Sequence, residues 1–66
     1  MKPGDLVSVT WPDGTMGLSS NDMSEHRDLP RGAMGIVLMK HGSWLIRVLF
    51  PPGVALDVVE NHIDLV

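Results

Sequence analysis

GSWLIRVLFPPG, residues 42–53, poses the problem from which the fold can be read. From Trp44 to Phe50 seven consecutive residues carry one charge, Arg47, and the β-branched and aromatic types in this run suit a pleated strand. Pro51-Pro52-Gly53 ends it, because proline donates no backbone hydrogen bond and glycine supplies the turn. Side chains alternate along a strand, so Trp44, Ile46, Val48 and Phe50 share one face and Leu45, Arg47 and Leu49 share the other. The charge of Arg47 marks the outer face. The Trp44 face is then expected in the core, while Leu45 and Leu49 are left outside on a chain of 66 residues that has little else to cover them.

Working outward, similar segments recur. Lys2-Pro3-Gly4-Asp5 is a turn signal, and residues 6–11 then alternate, placing Val7, Val9 and Trp11 on one face and Ser8 and Thr10 on the other. Pro12-Asp13-Gly14 stops this first strand. Residues 15–31 have no clean period and many polar side chains, which predicts a long loop with a possible helical turn capped by Asn21 or Ser24. The second strand is predicted over 33–40, the third over 44–50, the fourth over Val54–Val59, and the last over 63–66 after a helical turn at Glu60-Asn61-His62. No repeat or linker interrupts them, so residues 1–66 form one domain. Five short antiparallel strands in so short a chain close most economically into a small barrel, which removes exposed edges.

Composition narrows the function. The net charge is −3, and the five cations, Lys2, Arg27, Arg31, Lys40 and Arg47, are scattered. Nucleic-acid affinity leans on clustered cations that release counterions, so no nucleic-acid partner is expected. There is no cysteine, hence no disulfide and no thiolate metal site. No apolar run reaches the length of a membrane span, and a soluble protein of an intracellular compartment is expected. Hydrophobic residues are nonetheless 44% of the chain and mean hydropathy is +0.14. That excess over what a small core can absorb points to a partner surface.

Three short motifs carry a resemblance: Lys2-Pro3-Gly4-Asp5-Leu6-Val7-x-Val9, Gly32-x-x-Gly35-x-Val37 and Val59-x-x-x-Ile63-x-Leu65-Val66. Together with the strand layout they resemble the SH3-like small β-barrel group over nearly the full length. The texture looks most like small virion-associated proteins of tailed bacteriophages, where such barrels serve as capsid, neck, tail or baseplate components. A weaker likeness joins it to the small barrel component of photosystem I, which clips onto a redox complex as an accessory in electron transfer, and to KOW modules, whose basic loop residues are missing here. Fold does not dictate function, so function has to be argued from a site.

The candidate catalytic and metal sites are thin. His26, His41 and His62 lack the spacing of a zinc set, no serine lies in a nucleophile-elbow context, and Glu25-His26-Arg27-Asp28 reads as a self-paired loop. No enzyme activity, cofactor, metal or small-molecule substrate is expected. Trp11 and Trp44 could form an aromatic platform for a proline-rich peptide, though no tyrosine completes a groove and such a pair also suits a core. Met34 and Met39 fall on opposite parities, one facing in and one out. The stronger signal is the aliphatic strip of Leu45, Arg47 and Leu49, joined by Ile36 and Leu38 if Gly35 and Val37 point inward. A larger structural protein, present in many symmetric copies, would cover that strip, with residues 15–29 and Val66 adding contacts in a virion or otherwise in the cytoplasm. The competing reading is that residues 15–29 fold back and cover it themselves.

Overall fold

The computed structural model describes residues 1–19 and 26–66. These residues form an all-β structure of β1 (Leu6–Val9), β2 (Thr15–Ser19), β3 (His26–Leu29), β4 (Met34–His41), β5 (Leu45–Phe50), β6 (Val54–Val59) and β7 (Ile63–Leu65), with a 3-10 turn at Glu60–His62. All neighbours pair antiparallel in one seven-stranded sheet ordered β3-β2-β6-β5-β4-β1-β7. Four expected strands and the helical turn lie close to where periodicity places them, and β1 is shorter than expected. Two further strands, β2 and β3, stand where a long loop was expected, which makes seven strands rather than five. Their period is hidden because Gly17 takes the inward position that an apolar side chain would mark, and β3 offers only Leu29 to the core. The proposed cap residues Asn21 and Ser24 lie outside the described residues.

The inner face supplies one core: Val7 and Val9 from β1, Val37 from β4, Ile46, Val48 and Phe50 from β5, Leu56 and Val58 from β6, and Ile63 from β7, with Leu29, Ala33 and Val54 packed against them. β1 and β6 are not neighbours in the sheet, so the sheet must curl for them to share a core. One side-chain contact links the start of β2 to the turn before β7, and a backbone bond from just past β1 reaches the same turn. Thr15 Oγ1 at the start of β2 is 2.8 Å from His62 Nδ1 in the 3-10 turn before β7, and the Trp11 backbone N–H donates to the His62 carbonyl at 3.3 Å. Gly14 lies in the same corner at a φ of 81°, where a Cβ would run into the Leu29 carbonyl. Only glycine meets both demands at once.

The aromatic expectations fail in an informative way. β5 begins at Leu45, and Trp44 sits in the preceding turn, 61% exposed rather than in the core. Trp11 lies beyond the end of β1, is 46% exposed, and stacks on the His62 ring with centroids 4.3 Å apart. Alternation assigns a face only while the ladder continues, and both tryptophans lie just past its ends. The methionine parity fails for a related reason. The β4–β5 register slips between Val37 and Met39, a bulge that inserts Leu38 and returns Met39 to the outer face, so Met34 and Met39 are both exposed.

Candidate protein-docking face

The outer face of the sheet can be built row by row from the register, since residues directly opposite one another in an antiparallel pair point the same way. Leu6 of β1 faces Ile36 of β4, Ile36 faces Leu49 of β5, and Leu49 faces Ala55 of β6. The result is an unbroken aliphatic row across four strands, in which Leu6, Ile36 and Leu49 remain 42%, 38% and 36% exposed. Met34, two residues before Ile36 and opposite Ser8, extends the surface beside it. The Pro51-Pro52-Gly53 turn rises at the end of β5, and the Pro51–Pro52 peptide is cis. Leu6, Met34, Gly35, Ile36, Leu49 and the three turn residues, with the edge of Phe50, line an open groove of about 530 Å³. None of these side chains is ionisable or carries a hydrogen-bond donor.

Gly35 sets how closely the strands beneath the groove approach. A Cβ there would lie 2.6 Å from the Leu49 carbonyl oxygen and 2.6 Å from Val48 Cγ1. The absence of a side chain at this position lets β4 lie close against β5.

Toward the middle of β5 the face changes character. Arg47 stands opposite Asp57 on one side and Met39 on the other. Its Nε donates to Asp57 Oδ1 at 3.0 Å, and its Nη1 lies 3.6 Å from Met39 Sδ. Asp57 is buried at 7% exposure although it points to the outer face, because Arg47 and β2 flank it. Leu45, at the start of β5, is half-buried, and Leu38 is exposed at the bulge.

The expected strip therefore separates into parts. Ile36 and Leu49 come together as expected. Leu45 is divided from Leu49 by the Arg47–Asp57 pair, and Leu38 does not line the groove. Leu6, Met34, Pro51 and Pro52 were missed. The parity that puts Val7 and Val9 inside also puts Leu6 outside, and Met34 shares the parity of Ile36, so both were within reach of the sequence. That β1 pairs with β4, which brings Leu6 to Ile36, was not.

As for residues 15–29, their described part does not lie over the groove. β2 continues the sheet beyond β6, pairing Leu18 with Asp57 and Ser19 with Leu56, and β3 lies outside β2.

Elsewhere, Thr10 Oγ1 donates to Asp64 Oδ2 at 2.7 Å near the Trp11–His62–Thr15 corner. The Trp44 carbonyl accepts from the Glu60 N–H at 2.9 Å. The two tryptophans thus meet opposite ends of the 3-10 turn, Trp11 through its ring and Trp44 through its backbone carbonyl, and among the described residues Trp11 stacks with His62 and not with Trp44. No group of three or more described His, Asp or Glu side chains is arranged to hold a metal ion. No described helix is long and apolar enough to cross a membrane. No family model, curated protein or solved structure matches the chain.

Proposed function

We propose that this chain is an SH3-like barrel that acts as a non-catalytic docking subunit, seating an uncharged aliphatic segment of a larger protein against Leu6, Ile36 and Leu49. The observation that carries the reading is the in-register aliphatic row, left exposed over a groove without an ionisable side chain. A charged occupant would lose its hydration there and find no partner, whereas an aliphatic one gains by area alone. The barrel assignment is supported by the strand order, in which β7 returns after a 3-10 turn to pair with β1, and by the Thr15–His62 contact that links β2 to that turn. Two of the five cations are already engaged, Arg47 with Asp57 and Lys40 with Glu60, which favours apolar over electrostatic docking.

The setting we propose is a tailed-bacteriophage virion, with many copies in a symmetric ring or shell. Its support is the likeness of the Lys2–Val9, Gly32–Val37 and Val59–Val66 motifs to small proteins of that kind. Repetition suits a small interface, because weak contacts add up when many copies engage together.

The test is Leu49→Asp in the native complex, isolated from its source and sized by light scattering. The variant is expected to fold, since Leu49 lies outside the core, and to leave the complex. Wild-type association should change little between low and high salt. A wild-type chain that stays a lone monomer in its own source, or a Leu49→Asp chain that remains in the complex, removes the docking reading.

A further inference from the structure

We infer that peroxide-class oxidants switch the groove off through Met34. The inference rests on the docking reading and adds a control to it. Met34 is 50% exposed, and its thioether is the one readily oxidised group among the groove-lining side chains. The sulfur lone pair attacks a peroxide oxygen, the O–O bond breaks, and an S–O bond forms. Sulfur loses two electrons, the peroxide gains them, and the departing oxygen leaves as water or an alcohol once protonated. The product is a polar sulfoxide.

The surroundings of that new oxygen decide its effect on docking. On the free protein it is hydrated at little cost. Once an aliphatic segment covers the groove it becomes a buried acceptor among Leu, Ile, Phe and Pro side chains that donate nothing. Pro51 and Pro52 lack a backbone N–H, and that of Gly53 is spent on the Phe50 carbonyl at 2.8 Å. The penalty therefore falls on the docked state alone. Met39 shows the opposite case. It is 44% exposed and open to the same reaction, but its sulfur lies 3.6 Å from Arg47 Nη1, so a sulfoxide there meets a cationic donor and lies outside the groove.

The probe for the test is diphenylhexatriene, a hydrocarbon dye that fluoresces in apolar sites and makes no hydrogen bonds of its own. The 66-residue chain is titrated with dye before and after hydrogen peroxide, with sulfoxides located by peptide mass spectrometry. Wild-type protein is expected to bind dye, Leu49→Asp is not, and oxidation of Met34 should weaken binding by about tenfold or more. In Met34→Leu, whatever its starting affinity, peroxide should leave the affinity unchanged. Met39→Leu should lose binding on oxidation as wild type does, and methionine sulfoxide reductases should restore wild-type binding. Unaltered binding by wild-type chain with Met34 oxidised overturns the switch and leaves the groove standing. Failure of the unoxidised chain to hold dye, or equal binding by Leu49→Asp, overturns the docking groove and the switch with it.

Discussion

The two halves of the outer face of β5 meet the same problem differently. Around Arg47 the sheet carries charge, a carboxylate and a thioether in register, and the three satisfy one another: Asp57 accepts from Arg47, and Met39 lies against the guanidinium. Around Leu49, two residues further on, the register brings together Leu6, Ile36 and Leu49 with no polar side chain between them. The first half is finished within the chain. The second is left open, and the contrast locates the candidate docking face more narrowly than hydrophobicity alone could.

On the outer face, the largest effect should come from undoing the finished half. Asp57→Ala removes the carboxylate that accepts from Arg47 Nε on a mostly covered surface, where Arg47 is 26% exposed. Because Arg47 keeps some access to water, the loss should be about 2–3 kcal/mol, at or below the low end of what breaking a fully buried pair costs. Denaturant titration measures it. A loss below about 0.5 kcal/mol, as for an ordinary surface pair, would show that Arg47 and Asp57 do not seal their half of the face.

Next in size is the boundary between the halves and the core. Gly35→Ala places a Cβ 2.6 Å from the Leu49 carbonyl, a backbone atom that cannot rotate away, and should cost about 1–3 kcal/mol. The same substitution should shift β4 away from β5 and deform the groove. Comparing backbone amide shifts of Ile36 and Leu49 with those of Arg47 tests this, since changes should concentrate on the groove side. Uniform changes along β5 would show that the two halves are not structurally independent.

How much of this was legible in the sequence depends on which forces act locally. The inner and outer parity of β5 could be read because a strand's period is local, and Ile46, Val48 and Phe50 are buried as expected. Trp44 was misplaced because the same reading carried alternation one residue past the ladder. β2 and β3 escaped because Gly17 and polar residues leave Leu29 as their one apolar inward mark, so their place is set by pairing, β2 with β6 and β3 with β2, rather than by their own pattern. The bulge at Leu38 depends on how β4 must bend against β5, which no periodicity records. Pro51 and Pro52 read as a turn, as they are, but their role in walling the groove depends on the fold of β1 and β4 beside them.

The smallest effect on stability, and the most direct measure of the contrast, belongs to the open half. Ile36→Thr and Leu49→Thr keep a β-branched or strand-compatible side chain on positions already more than a third exposed, and remove aliphatic surface that the chain itself does not fully bury. Each should lower stability by only about 1 kcal/mol, whereas Ile46→Ala on the inner face should cost about 2–5 kcal/mol. Docking should behave in the reverse order. The two threonine variants remove surface that only a partner would bury, so their loss should appear in association of the folded chain rather than in its denaturation midpoint. If either variant instead falls in stability as far as Ile46→Ala, the outer row is already packed as core, and the distinction between a finished and an unfinished half does not hold.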